Sequence, residues 1–341
     1  MNTNRKYITT ALVVAVAVIL IAGILMMPRL TTQTPPNIAN PNPPSNPPGN
    51  GGNNTNGNGT TQNPPPGTGT TASAPGWQAG DWWRYDVSVA NIWGDRDSIL
   101  LQGWLLKTVK GTESNAAGTV YNVTVTASYA LAGAFCDRES ERTPFRYANV
   151  TGYVLSRTSD LALVGSFYAL TMNATYTYDN RTTHASYTAK VWTSFSPPLV
   201  VWSFPLAGKE TWNATSNVSV HTWSQVRFSS RNHTYVDNRS VDFSALVSLV
   251  MHSGTPANVT VPAGTLGSIP VEVSTPRRME LSDRLANQVL NVTRDFDELP
   301  GHPIARLWYS GQVGNVVKAM AWLGPYSDGK LEAELVAYNY G

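Results

Sequence analysis

The chain has 341 residues, with 24 Lys and Arg against 22 Asp and Glu and a single cysteine. All 22 acids and 21 of the bases lie after residue 75, giving 21 − 22 = −1 with the signs mixed, which excludes the basic footprint of a nucleic-acid binder. One thiol, Cys136, excludes an internal disulfide, so a folded part of this size is expected to rest on its core alone.

Residues 1–6 carry Arg5 and Lys6 and read as a cytoplasmic n-region. Residues 7–27 (YITTALVVAVAVILIAGILMM) are 21 residues without a charge, and about 20 apolar residues span a bilayer as a helix. The positive-inside bias predicts a single-pass plasma-membrane anchor with everything after residue 30 outside the cell. The alternative is a secretory signal, cleaved to release the chain. Its apolar core would be shorter, about 7–15 residues, and the closing Ile-Leu-Met-Met-Pro is a poor cleavage site.

Residues 31–75 contain no charged side chain but hold eleven prolines, ten asparagines and seven glycines. Without apolar periodicity nothing offsets the entropy of ordering, so the segment reads as a linker. As a coil it would span roughly 35–40 Å and as polyproline II about 140 Å. Either length holds a folded part clear of the membrane.

From Gly76 the texture changes, and all eleven tryptophans lie here. In residues 119–131 (TVYNVTVTASYAL), Tyr121, Val123, Val125, Ala127, Tyr129 and Leu131 share one face and Asn122, Thr124, Thr126 and Ser128 the other, the period of a half-buried strand. The pattern recurs at Asn173–Tyr178, Asn217–Phe228 and Asn258–Val261, with turn signals at Ser196-Pro197-Pro198, Pro262-Ala263-Gly264 and 324–329. The best helix candidate, Leu281–Leu290, is short. Residues 76–341 therefore read as an all-β ectodomain, a curved antiparallel sheet of half-barrel or sandwich type, in one unit or in halves 76–195 and 196–341.

Ten of the fifteen asparagines in this part begin an Asn-x-Ser/Thr sequon: Asn122, Asn149, Asn173, Asn180, Asn213, Asn217, Asn232, Asn238, Asn258 and Asn291. Random placement would give about three. Two more, Asn53 and Asn58, lie in the linker. On a strand, residues i and i+2 share a face and the middle residue points the other way. Seven of the ten middle residues are Val or Ala, which predicts covalent N-glycans on an outer face and an apolar inner face. Many sequons without disulfides look more like an archaeal surface protein than an animal secretory one.

Three segments resemble an uncharacterised extracytoplasmic β-domain family of archaeal and bacterial secreted proteins. They are Gly80-Asp81-Trp82-Trp83-Arg84-Tyr85-Asp86-Val87, then Phe204-Pro205-Leu206-Ala207-Gly208-Lys209-Glu210-Thr211-Trp212, then Val261-Pro262-Ala263-Gly264-Thr265 continuing to Leu307-Trp308-Tyr309-Ser310 and Val313–Lys318. The family is similar to the half-barrels of lipoprotein carriers, which wrap an apolar face around a ligand or helix, and the resemblance implies a fold more than an activity. Leu266 stands where the pattern has an aromatic, and 277–300 is longer than the pattern. The residues themselves read as structural: Gly80-Asp81 as a turn, Trp83 and Tyr85 on one strand face, and Val313-Gly314-Asn315 as a hairpin turn.

No chemistry stands out. There is no His-Glu-x-x-His, no Gly-x-Ser-x-Gly elbow and no paired cysteine. Ser327-Asp328-Gly329-Lys330 matches Ser-x-x-Lys only formally, in a turn. His184, His221, His233, His252 and His302 are scattered, and His221 reads as a solvated outer-face residue beside Ser219 and Trp223. Asp137, Glu139 and Glu141 read as a solvated loop. Asp295, Asp297 and Glu298 do not match a calcium-loop spacing. No catalytic residue, metal site or cofactor is expected. The reading is a membrane-tethered, N-glycosylated, non-enzymatic binding or adhesion module whose partner is a polysaccharide, a lipid or another surface protein. A structural subunit of the envelope or of a filament is the first alternative, and an apolar-ligand carrier using the inner face is the second.

Overall fold

Alternation dictates what forms here. A computed structural model of the protein describes residues 71–90, 100–132, 146–178, 181–230, 233–274, 280–281, 303–322 and 330–341. The anchor, residues 31–70 of the linker, Cys136, both acidic groupings, His302, the Ser327–Gly329 turn and the sequons at Asn53, Asn58, Asn180, Asn232 and Asn291 lie outside them. The last linker residues belong to the fold instead: Thr71 and Ala72 pair with Ala207 and Leu206, and Ala72 is buried in the core. The helix candidate beyond Leu281 also lies outside the described residues.

Sixteen strands follow one another among the described residues. They are β1 (Thr71–Ala72), β2 (Trp82–Ala90), β3 (Leu100–Asn115), β4 (Gly118–Ala132), β5 (Tyr147–Arg157), β6 (Leu163–Tyr178), β7 (Arg181–Leu199), β8 (Leu206–Ala207), β9 (Thr211–Ser230), β10 (His233–Ser253), β11 (Ala257–Val261), β12 (Gly264–Ser274), β13 (Glu280–Leu281), β14 (Pro303–Ser310), β15 (Asn315–Trp322) and β16 (Lys330–Asn339). Every predicted strand falls inside one of these, and the described residues contain no helix.

All pairings are antiparallel. The large sheet runs β12-β14-β15-β16-β2-β3-β4-β5-β6-β7-β9-β10, and β10 then pairs with β12 from Val250↔Ser274 to Ser253↔Val271. The order returns to its start. The sheet curves as the half-barrel reading implies and goes further, into a closed ring of twelve strands. Closure removes the open edges that would otherwise template aggregation. β11 folds back on β12, β13 adds to β10, and β1 pairs with β8 outside the ring.

Inside, the apolar faces meet in one contiguous cluster. Trp83, Tyr85, Val87 and Val89 of β2, Val123, Val125, Ala127 and Tyr129 of β4, and Val317, Ala319 and Ala321 of β15 are all buried in it. Each large apolar side chain so buried contributes about 1.5–3 kcal/mol. The inner face is packed with the chain's own side chains, so the reading of that face as a ligand groove gains no support. Gly103 of β3 sits opposite inward Tyr129, where an added Cβ would run into the Ser128 carbonyl oxygen and the Tyr129 Cα.

The three family-like segments meet here. Trp83 Nε1 donates to the Val313 carbonyl at 2.8 Å and the Tyr85 hydroxyl donates to the Val316 carbonyl at 2.8 Å, tying the first segment to the third. Phe204 of the second packs edge-on against Tyr309 at 5.5 Å. Gly80 takes a positive φ and the buried Asp81 carboxylate accepts the Gln78 N–H at 2.8 Å, which makes the expected turn into β2. Residues 311–314 form the expected turn into β15. The structural reading of these motifs holds.

Candidate binding groove on the outer face

Because β5, β6, β7, β9 and β10 are neighbours, their register brings one residue from each into a single outward row. Tyr153 faces Phe167, Phe167 faces Trp192, Trp192 faces His221, and His221 faces Asp242. Directly opposed side chains of an antiparallel pair touch, so the row is continuous. Ring centroids are 5.7 Å apart for Tyr153 and Phe167, 5.1 Å for Phe167 and Trp192, and 5.1 Å for Trp192 and His221. The interplanar angles of 38°, 41° and 45° are those of tilted stacking. At about 4.8 Å per strand the row extends roughly 19 Å across the sheet.

The next outward row on one side is Leu155, Gly165, Ser194, Ser219 and Ser244. Four of its five members are small. An aromatic row beside a row of glycine and serines leaves a trough, and a groove of about 580 Å³ lies there, bordered by Tyr153, Trp192, His221 and Asp242. Ser219 and Ser244 hydroxyls approach each other at 3.5 Å. The next row on the other side carries Lys190 Nζ over the Trp223 ring at 5.5 Å.

His221 lies on the outer face, as its strand parity predicts, but it has a partner: Nδ1 is 2.5 Å from Asp242 Oδ1. A carboxylate only accepts, so the proton of this contact sits on Nδ1 and Nε2 is turned away from Asp242. Asp242 fixes the imidazole against Trp192. The groove thus offers stacked rings at one end and oriented polar groups at the other.

Seven sequons fall on described residues, all in strands. Asn149, Asn173, Asn213, Asn217, Asn238 and Asn258 are exposed. Asn122 is half-buried, and its Oδ1 is buried without a hydrogen-bond partner among the described residues. The middle residues Val123, Val150, Ala214 and Val218 are buried, Ala174 and Val259 are half-buried, and Arg239 is exposed. Asn149 and Asn238 stand four residues from the aromatic row on one side and Asn217 four residues from it on the other. That is about 13–14 Å in each direction along the strands.

A second polar feature is inside the ring. Lys107 on β3 is 2 % exposed. Its Nζ lies 5.2 Å from the centre of the Tyr85 ring and 3.5 Å from Asn315 Oδ1. Burial lowers its pKa to about 7. Burial also raises the hydroxyl pKa values of Tyr129, Tyr168 and Tyr187 in the same interior. The sequence pointed to neither the aromatic row nor Lys107; of these residues only His221 lay on a strand face read from alternation.

No family model matches the chain, and no curated protein matches it. Among solved structures, a candidate exported protein with a YmcC-like fold from Bacteroides fragilis is 12% identical, over 79% of this chain and 99% of that one, with a TM-score of 0.28. That score is too low to carry over a fold or an activity.

Proposed function

We propose that this is an extracytoplasmic surface protein, tethered by residues 7–27 through the linker 31–75, that binds a polysaccharide in the outer-face groove without chemical turnover. The observation that carries the reading is the row from Tyr153 to Asp242. A sugar ring presents a C–H face to an aromatic platform and hydroxyls around its edge. Trp192 and its neighbours supply the platform. His221, Asp242 and the flanking serines supply donors and acceptors.

Two features favour a polysaccharide over the other partners considered. A lipid needs a dry enclosed surface, whereas this trough is open to solvent and carries the hydroxyls of Ser194, Ser219 and Ser244. A stable protein partner needs upwards of about 1,000 Å² of buried surface. Glycans at Asn149, Asn217 and Asn238 would frame the row and leave a strip about 27 Å wide, enough for one slender chain.

Binding of the detergent-solubilised full chain to a panel of immobilised oligo- and polysaccharides tests this. The expected result is retention on a subset of glycans, lost in Trp192→Ala. Equal retention of both forms, or retention on none, contradicts it.

A further inference from the structure

We propose that Lys107 and Asn315 join through a covalent side-chain amide that staples β3 to β15 across the interior of the ring. The bond forms between Lys107 Nζ and Asn315 Cγ, the bond from Cγ to Nδ2 breaks, one amine proton passes to Nδ2, and ammonia leaves. Amine plus carboxamide gives secondary amide plus ammonia, so atoms balance and no oxidant, reductant or cofactor is needed.

The geometry brings the two reacting groups together. Nζ is 3.5 Å from Oδ1, one bond from the carbon it would attack, and both side chains are buried. Held in this way, an amine and an amide react as a pair at very high effective concentration. The nucleophile must be neutral, and an ordinary lysine is almost wholly charged at pH 7. Burial brings the Lys107 pKa to about 7, so a large fraction is the neutral amine.

The electrophile is also prepared. Asn315 Oδ1 accepts the Val316 backbone N–H at 2.8 Å. That donor is fixed at the mouth of the hairpin between β14 and β15, and it would strengthen as negative charge develops on Oδ1. Nδ2, the leaving nitrogen, is buried with no hydrogen-bond partner among the described residues, so it can leave without giving up a contact to any of them. Tyr85 closes the site beneath the amine, its ring under Nζ and its hydroxyl held by the Val316 carbonyl. A water-poor interior keeps water from competing with the amine for Cγ.

The staple also fits the chain's circumstances. Its ends are 208 positions apart, and β2 and β16 lie between β3 and β15 in the ring. A cross-link closing so long a loop restricts the unfolded chain strongly, which is the service disulfides give to other extracellular proteins. A chain with one cysteine cannot obtain it from disulfides.

Mass spectrometry of the full chain, produced in a host that does not N-glycosylate, tests the proposal. The expected mass is 17 Da below that of the sequence, the mass of one ammonia. Digestion should give a branched peptide joining the Lys107 and Asn315 segments, unaffected by reductant. Lys107→Met and Asn315→Ala should each abolish the branch and lower Tm by about 10 °C or more. The full sequence mass, with linear peptides carrying unmodified Lys107 and Asn315, overturns the proposal whether or not the variants fold.

Discussion

Trp192 and His221 stack across β7 and β9 at 5.1 Å, and the second ring is pinned from its far side by Asp242. The stack is on the surface: Trp192 is 38% exposed. A large aromatic held open to solvent contributes less to the core than a buried one and leaves its face available to a ligand.

Asp242→Ala should weaken glycan binding several-fold while leaving stability nearly unchanged. The exposed hydrogen bond between His221 Nδ1 and Asp242 contributes at most about 1 kcal/mol to folding. Its removal lets the imidazole turn away from the groove. Titration calorimetry gives the affinity and a melting curve gives the stability. Unchanged affinity would remove His221 from the binding surface.

Sugar occupancy should follow exposure. Glycopeptide mapping of the native protein should find glycans at Asn149, Asn173, Asn213, Asn217, Asn238 and Asn258, all exposed, and none at half-buried Asn122. A sugar at Asn122 would need its buried amide oxygen to swing outward. Membrane fractionation should retain the chain until detergent is added, and a soluble form beginning near residue 28 would contradict the anchor.

Gly103→Ala should destabilise the ring by about 2–4 kcal/mol, since overpacking against backbone cannot be relieved by a rotamer change. Urea unfolding measures it. A neutral result would mean that β3 and β4 can separate at Tyr129 without cost.

Lys107 predicts a pH dependence in Asn315→Ala, which cannot form the staple. The unfolded chain keeps the lysine proton up to about pH 10.4. In the folded chain it leaves at about 7, because burial penalises the charge. Between these values the unfolded state binds more protons. Stability therefore rises with pH across that window, by up to about 1.4 kcal/mol per unit, and the cost of burying the charge is fully present below it. The stapled wild type carries no amine at that position and should lack this slope. Parallel curves for the two proteins in urea unfolding at pH 7, 8 and 9 would contradict the assignment.

Strands were legible because alternation is local: residues 119–131 show their inner and outer faces in five or six positions. Their turns were legible too, at Gly80-Asp81 and Val313-Gly314-Asn315, because backbone conformation limits which residues stand there. Ring closure was not legible. It depends on β10 meeting β12, and no short-range pattern states which strands pair. The groove was hidden for the same reason. Only His221 stood on a face that alternation reveals; Tyr153, Phe167 and Trp192 each adjoin an apolar residue, Val154, Tyr168 and Val191, so alternation does not say which of the two turns outward. A row of these four exists only once three registers are known, and slipping one by a residue would send its member inward. Lys107 shares the inner face of β3 with Leu101, Leu105 and Val109, so its burial could have been read. Its approach to Asn315, 208 positions away, could not.

The central claim is that the outer-face row holds a polysaccharide. Its most direct test is a calorimetric titration of the full chain in detergent with an oligosaccharide retained in the panel, beside the same titration of Trp192→Ala. A saturable 1:1 isotherm weakened at least tenfold by the substitution, about 1.4 kcal/mol, with Tm shifted by less than about 2 °C, is the predicted result. Equal affinity in the two proteins would contradict the account.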